Sequence, residues 1–342
     1  MKKLLIVGSN SVHTFNYIDL IKEYFDDILL VTNKLNPDST IPQVTANFHY
    51  NFTSFFATPK KIKEVVEQFS PTHIHVHQAN SYAFFTARAI SKKENMFLTA
   101  WGSDILLLPK RSFFWKKMVQ YSLNRFSFFT ADSQEVADQI IKLVTVKNRV
   151  LVANFGIEIH EVSTKKENVI YSNRLHKPLY RVNKVIGAFH RFLQTNPTEN
   201  WKLVIGAVGT ETDKLKEMVT ELGIENQVEF VGWVDNELNR NYYAKSKFWI
   251  SLPESDATSI SLLEAMAYGC VPIVSNLPSN KEWIKEGENG FIVQDLEEEY
   301  LSEMLSFDLE KAVSLNKERI RKDGTKEANR KKFIQLYEQL SK

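Results

Sequence analysis

Two doubly wound α/β domains, each on a parallel sheet, are the fold class this sequence predicts. Three observations predict it. Short apolar or β-branched runs alternate with helix-length amphipathic stretches; the alternation halts in a polar segment near residue 160 and begins again; and 342 residues exceed the ~150 that one domain usually holds.

The first series reads LLIVG (4–8), ILLVT (28–32), HIHVH (73–77), FLTAW (97–101) and FFTAD (128–132), with helical stretches at TPKKIKEVVEQF (58–69) and SYAFFTARAISK (81–92). The second reads NVIYSN (168–173), KLVIGAVG (202–209), VEFVG (228–232), FWISLP (248–253) and VPIVSN (271–276). Strand alternating with helix implies crossover connections and parallel strands, whose carboxyl ends carry ligands. The boundaries expected are 1–158 and 159–324. The last segment, 325–342, places Phe333, Ile334, Tyr337 and Leu340 on one helical stripe, and is expected to dock in an apolar groove, packing back on the first domain.

Composition narrows the classes. With 43 basic and 41 acidic side chains the net charge is +2, so no polyelectrolyte signal for nucleic acid exists. Cys270 is the single cysteine, which excludes an internal disulfide and reads as an inert buried thiol. The amino terminus holds too short an apolar run for a signal peptide, and nowhere do about 18 apolar residues run together, so the expected location is cytoplasmic. His73, His75 and His77 alternate onto one strand face, where spacing along the strand favours hydrogen bonding or packing over metal ligation; no metal is expected.

The most informative stretch is ESDATSISLLEAMAYGCVP (254–272). It leaves a strand end, loops through small polar residues and enters an apolar helix from Ser259 to Tyr268, stopped by Gly269. Free amides at Thr258, Ser259 and Ile260, flanked by Ala257 and Ser261, suit a diphosphate. Glu264 has the acceptor geometry for a ribose diol, and Asp256 for hydroxyls of a sugar. The alternative is a capping cluster, with Asp256 or Ser259 as the cap and Glu264 solvated.

This segment resembles the nucleotide-sugar signature of the family 4 retaining glycosyltransferases, which pairs two glutamates across seven residues before EAMA-x-G-x-PV. Glu264 matches the second glutamate; Asp256 stands for the first, one methylene shorter. Other pieces fall in the family's order. GSNSVHT (8–14), with Ser9, Asn10 and His13, is similar to its loop near donor phosphates and acceptor. HIHVHQANSY and TAWGSD (99–104) resemble a branch with a Trp-Gly-Ser-Asp loop, and the likeness puts His77, Tyr82, Trp101 and Asp104 on the acceptor side. NFGIE (154–158) is similar to the turn before the linker, and NGFIV (289–293) to a second-domain strand. SNRLHKPLYRVNKVIGAF (172–189) places Arg174 at the arginine that neutralises the donor diphosphate. The family lysine is replaced by Tyr180, which leaves Arg181 or Lys177 as the second cation. Gly206 lies in a Gly-x-Gly-like turn, and Trp233 with Val234 lies where the base is read.

The resemblance implies two facing Rossmann-like domains of the GT-B type. It implies metal-independent transfer, with retention, from a UDP- or GDP-sugar to a glycan or lipid-linked acceptor in surface-polysaccharide assembly, and no other cofactor. Arg174, Asp256 and Glu264 would carry the chemistry. A non-catalytic nucleotide-sugar or glycan-binding subunit and a sugar-nucleotide epimerase of the same fold remain the alternatives. Finally, PKRSFFWKKMVQYSLNRF (109–126) has five basic residues and no acids. It reads either as a helix resting on an anionic membrane or as one with buried aromatics and a solvated basic face.

Overall fold

The structure, a computed structural model, describes residues 1–91, 95–144, 150–162 and 164–339. The chain divides into two compact units, residues 1–155 with 326–342, and residues 156–325. The boundary falls after Phe155 because Ile157 donates its N–H to the Gly324 carbonyl, at 2.9 Å, and packs in the second unit's core.

The first unit holds seven parallel strands: β1 (Lys3–Val7), β2 (Asp27–Thr32), β3 (Gln43–Thr45), β4 (His73–His77), β5 (Met96–Thr99), β6 (Phe128–Ala131) and β7 (Val150–Val152). Their order is β3-β2-β1-β4-β5-β6-β7, so the sheet reverses direction of growth between β1 and β4. The second unit holds β8 (Glu167–Ser172), β9 (Lys202–Gly206), β10 (Val228–Gly232), β11 (Ser246–Ser251), β12 (Val271–Ser275) and β13 (Phe291–Val293) in the order β10-β9-β8-β11-β12-β13. Its reversal lies between β8 and β11. At such a point the loops leaving the two central strands diverge to opposite faces and open a crevice.

The central strands are buried on both sides, which is why they read as near-continuous apolar runs rather than alternating ones. The edge strands β3 and β7 escape the sequence reading: three residues each, half-buried, they have too little pattern to detect.

Two helices depart from their expected bounds. The helix expected to begin at Thr58 starts at Phe52, capped by Asn51, and runs to Phe69 through Pro59. Proline removes the bond to the carbonyl four residues back. That carbonyl, on Phe55, instead accepts Arg88 Nη1 at 2.8 Å. The 109–126 stretch is broken at Ser112, which caps a helix Phe113–Leu123. Met118, Val119, Ser122 and Leu123 face the core while Phe113 and Phe114 stay exposed, so the reading with those two aromatics buried fails.

The carboxy-terminal helix Lys326–Glu338 packs on the first unit through Phe333, Leu336 and Tyr337. Ile334 is half-buried, Leu336 takes its place in the core, and Leu340 lies outside the described residues. Tyr337 reaches the histidine strand. Its hydroxyl bonds to Tyr17 and to His75 Nδ1, while His75 Nε2 pairs with Thr99 Oγ1 at 2.7 Å. Among the described residues no group of His, Cys, Asp or Glu could hold a metal ion, and no helix is long and apolar enough to cross a membrane.

Candidate active site

In the second unit the crevice at the β8/β11 reversal gathers the charged groups. Arg174 leaves β8 and Asp256 and Ser259 follow β11. The Arg174 guanidinium is nine-tenths buried; Nη2 donates to Asp256 Oδ2 at 2.6 Å and Nη1 to Ser259 Oγ. It also lies 4.4 Å from the Tyr180 ring centroid. Asp256 Oδ1 accepts the Ala257 N–H, and its carbonyl accepts Ser279 Oγ at 2.8 Å. A planar fork held on two sides and stacked on a third keeps its charge aimed with little loss of rotamer freedom on binding.

The helix Ile260–Ala267 begins one residue after Ser259. Ser259 makes no side-chain cap; its hydroxyl accepts from Arg174, so the first turn of the helix begins beside that cation with its amides uncapped by the serine. Gly269, at φ +79°, ends the helix as the sequence requires. Thr258 Oγ1 accepts the Trp283 indole N–H at 3.3 Å and is a packing contact.

Glu264, one turn into the helix, is not a solvated surface carboxylate. Its Oε2 accepts the Tyr243 hydroxyl at 3.1 Å and Asn239 Nδ2 at 3.5 Å. Asn173 holds that pair: its Nδ2 donates to the Tyr243 hydroxyl at 2.7 Å and to Asn239 Oδ1 at 3.1 Å, and its Oδ1 accepts Trp249 Nε1. Burial raises the Glu264 pKa, against the pull of the Tyr243 hydrogen bond and the Arg240 charge. Both bonds from described residues fall on Oε2, which leaves the lone pairs of Oε1 unused by them. Asn173, Asn239 and Tyr243 went unread in the sequence. Asn173 stands next to Arg174 at a strand end, a position that could have drawn notice; nothing local marks the other two.

Arg181 is otherwise employed than the sequence suggested. At φ +48° it opens the helix Val182–Thr195, and its Nε and Nη2 donate to the carbonyls of Leu252 and Pro253 at 2.7 and 2.6 Å. The residue pins the turn after β11 rather than standing free as a second cation; Lys177 is exposed. Trp233, 71% exposed, follows edge strand β10, with Val234 half-buried beside it.

Gly206 ends β9 where a Cβ would lie 2.9 Å from the Tyr171 hydroxyl. The turn that follows is held by His176, buried, whose Nε2 meets the Gly206 carbonyl and Nδ1 the Thr212 hydroxyl. A Cβ on Gly209 would sit 2.3 Å from the His176 carbonyl oxygen. Backbone cannot yield as a flexible side chain does, so Gly209→Ala is expected to destabilise the second unit by about 1–3 kcal/mol or more, read as a lowered urea midpoint.

In the first unit the β1/β4 reversal brings His13, His77 and Trp101 together. The His13 and Trp101 rings are 5.2 Å apart, and Trp101 Nε1 donates to His77 Nδ1 at 3.3 Å. Burial, reinforced by His13, pushes the His77 pKa down to about 3. Ser9 is half-buried, and Asn10 bridges to the loop after β2 through Asn33 Oδ1 and the Leu35 carbonyl. Two acceptor-side expectations need correcting. Tyr82 is buried with its ring 4.1 Å from Phe48, a core contact. Asp104 is buried and spends its carboxylate on the backbone N–H groups of Ala79, at 2.6 Å, and Trp101, at 3.0 Å, so it shapes the loop instead of meeting a ligand.

Residues 154–327, over half of the chain, match the family model described as glycosyl transferases group 1. The chain belongs to that family. Residues 2–133 of this glycosyltransferase also match the model described as glycosyl transferase 4-like. It is 24% identical over 283 residues to the N-acetyl-alpha-D-glucosaminyl L-malate synthase of Bacillus anthracis, covering 77% of this chain and 72% of that one. It is 22% identical over 212 residues to the GDP-mannose:cellobiosyl-diphosphopolyprenol alpha-mannosyltransferase of Xanthomonas oryzae, covering 60% and 53%. Among solved structures, Anabaena HepE in complex with UDP superposes with a TM-score of 0.80 at 17% identity over the whole of both chains. The sucrose-phosphate synthase of Thermosynechococcus elongatus superposes with 0.82 at 14%, over 100% and 99%. These likenesses place the glycosyltransferase in the GT-B fold class.

Proposed function

We propose that this glycosyltransferase moves a sugar from a UDP- or GDP-sugar to a glycan or lipid-linked acceptor in surface-polysaccharide assembly, with retention of anomeric configuration and without a metal. The observation that carries the reading is the hydrogen-bonded set of Arg174, Asp256 and Ser259 at the start of the helix that carries Glu264. A cation and open first-turn amides suit a diphosphate, and a carboxylate one turn further suits a ribose diol. HepE was crystallised with UDP and with UDP-glucose, and the Xanthomonas relative is named for a GDP-mannose donor and a diphosphopolyprenol acceptor, which supports this donor and acceptor class.

In this reading the bond from the anomeric carbon to the diphosphate breaks first, giving an oxocarbenium-like state. Arg174 and the amides of the helix Ile260–Ala267 stabilise the departing charge. The diphosphate stays on the acceptor's face and takes the acceptor hydroxyl's proton as the new bond forms. Asp256 meets the transferred sugar through lone pairs not used by Arg174.

The experiment is thermal stabilisation across UDP-, GDP-, ADP- and CMP-sugars, repeated with Glu264→Ala. One donor class is expected to raise the melting temperature, and the variant to lose that shift, since a buried diol contact contributes about 1–3 kcal/mol. An undiminished shift in the variant removes Glu264 from the site.

A further inference from the structure

One face of the first unit has a composition that donor binding does not use. It is assembled from segments 46–63, 78–91 and 105–126, which together carry nine Lys and Arg and no Asp or Glu, in a chain whose net charge is only +2. Their rings join the segments into one surface: Phe55 lies 6.2 Å from Phe84, Tyr50 5.2 Å from Trp115, and Phe84 5.9 Å from Tyr121. Phe52, Phe56, Phe113 and Phe114 are 85%, 60%, 75% and 68% exposed. Four outward phenylalanines on one connected surface exceed the scattered apolar exposure of an ordinary protein surface.

The face is braced. Pro59 frees the Phe55 carbonyl, Arg88 donates to it, and the Arg88 guanidinium then lies 3.3 Å from the Phe55 ring centroid. Phe52 and Phe56 are one turn apart on that helix, with ring centroids separated by 5.5 Å. On the helix Phe113–Leu123 the inward residues are Met118, Val119, Ser122 and Leu123, which leaves the first-turn phenylalanines and Lys116 and Lys117 outside. Bare phenyl rings have no polar atom to satisfy in hydrocarbon, and the surrounding lysines and arginines, which outnumber the neighbouring acids Glu64, Glu67 (3.8 Å from Lys63) and Glu135 (which Lys110 reaches), complement lipid phosphate.

We infer that this face seats the protein on an anionic phospholipid bilayer, with Phe52, Phe56, Phe113 and Phe114 entering the boundary between headgroups and acyl chains. The surface is independent of the donor crevice, so its test does not read sugar transfer. The full chain is sedimented with phosphatidylcholine vesicles and with phosphatidylcholine–phosphatidylglycerol vesicles, at low and high salt. Binding is expected to the anionic vesicles, weakening as salt rises. Lys116→Glu with Lys117→Glu should lower partitioning at least about tenfold. Phe52→Ser with Phe56→Ser should lower it comparably at unchanged melting temperature, because both side chains are already exposed. Equal binding to neutral vesicles, no binding to either, wild-type binding by both variants, or binding abolished by an acidic polypeptide or by DNA at equal charge would each overturn the inference.

Discussion

Arg174→Ala is expected to lower the transfer rate by about 10²–10³-fold, equivalent to ~3–4 kcal/mol of lost transition-state stabilisation. Among the described residues Arg174 is the guanidinium at the β8/β11 crevice that is buried and bonded to side chains alone, since Arg181 is committed to two carbonyls. In the proposed reaction the diphosphate leaves beside this nine-tenths-buried guanidinium, whose charge is already fixed in place and needs no reorganisation. The stability cost should be smaller, about 1–2 kcal/mol, since Asp256 keeps the Ala257 N–H and partial solvent access after its partner is gone. Arg174→Lys restores the charge but not the fork that meets Asp256 and Ser259 together, and should recover only part of the rate. Asp256→Asn separates the two roles. If Asp256 mainly aims the guanidinium, the variant should raise KM for donor with a modest fall in kcat; if it mainly holds the sugar, kcat should fall more. Steady-state kinetics on the three variants, with donor varied at saturating acceptor, measure all of this. An unaltered kcat/KM in Arg174→Ala removes the residue from the reaction.

What was readable in the sequence follows from how far each signal reaches along the chain. Strands such as LLIV of β1 and VPIV of β12 declare themselves because a strand buried on two faces needs a continuous apolar run, and the helix at Glu264 because its start and its glycine stop are local. Partners brought by topology were not readable. Glu264 is held by Tyr243 and Asn239, 21 and 25 residues away on another helix, and Asp256 meets Arg174 across 82 residues. The misread residues share a cause. Arg181, Asp104 and Tyr82 have the chemistry of ligand contacts, but each serves the backbone or the core beside the crevice. A motif marks the neighbourhood of a site; it does not say which polar groups the protein has already used.

The same limit applies to the histidine strand, and it leads to the second large effect: the first unit should lose stability steeply as pH falls from about 6.5. His75 and His77 are fully buried, and His73 nearly so. Burial lowers the pKa of all three, His75 well below its ordinary value and His77 to about 3. The charges that reach them add to this: Lys2 acts on His73 and His13 on His77, and the groups bonded to His75 are hydroxyls of Tyr17, Tyr337 and Thr99, not carboxylates. Folded-state values below the unfolded ~6.5 mean that the unfolded chain binds more protons in acid. The stability these neutral rings contribute is therefore complete above about pH 6.5 and is lost as pH falls, at up to ~1.4 kcal/mol per unit for each of His75 and His77 and less for His73, whose downward shift is opposed by its hydrogen bond to the Tyr337 backbone. Asp104 works the other way: burial raises its carboxyl to about 6, so it favours folding as pH drops from 6 toward 4 and offsets roughly one histidine. The net slope should be about 1.5–3 kcal/mol per pH unit, seen as a urea midpoint that falls between pH 6.5 and 5. His75→Gln should be less stable at pH 7, through the lost Tyr337 and Thr99 contacts, yet show a slope shallower by about 1.4 kcal/mol per unit. Because Tyr337 belongs to the carboxy-terminal helix, protonation of His75 also acts on the contact that ties that helix to β4. Hydrogen exchange in 326–338 should then rise at acid pH before that of β1 does, whereas simultaneous exchange in both would mean that the helix opens only with the whole unit.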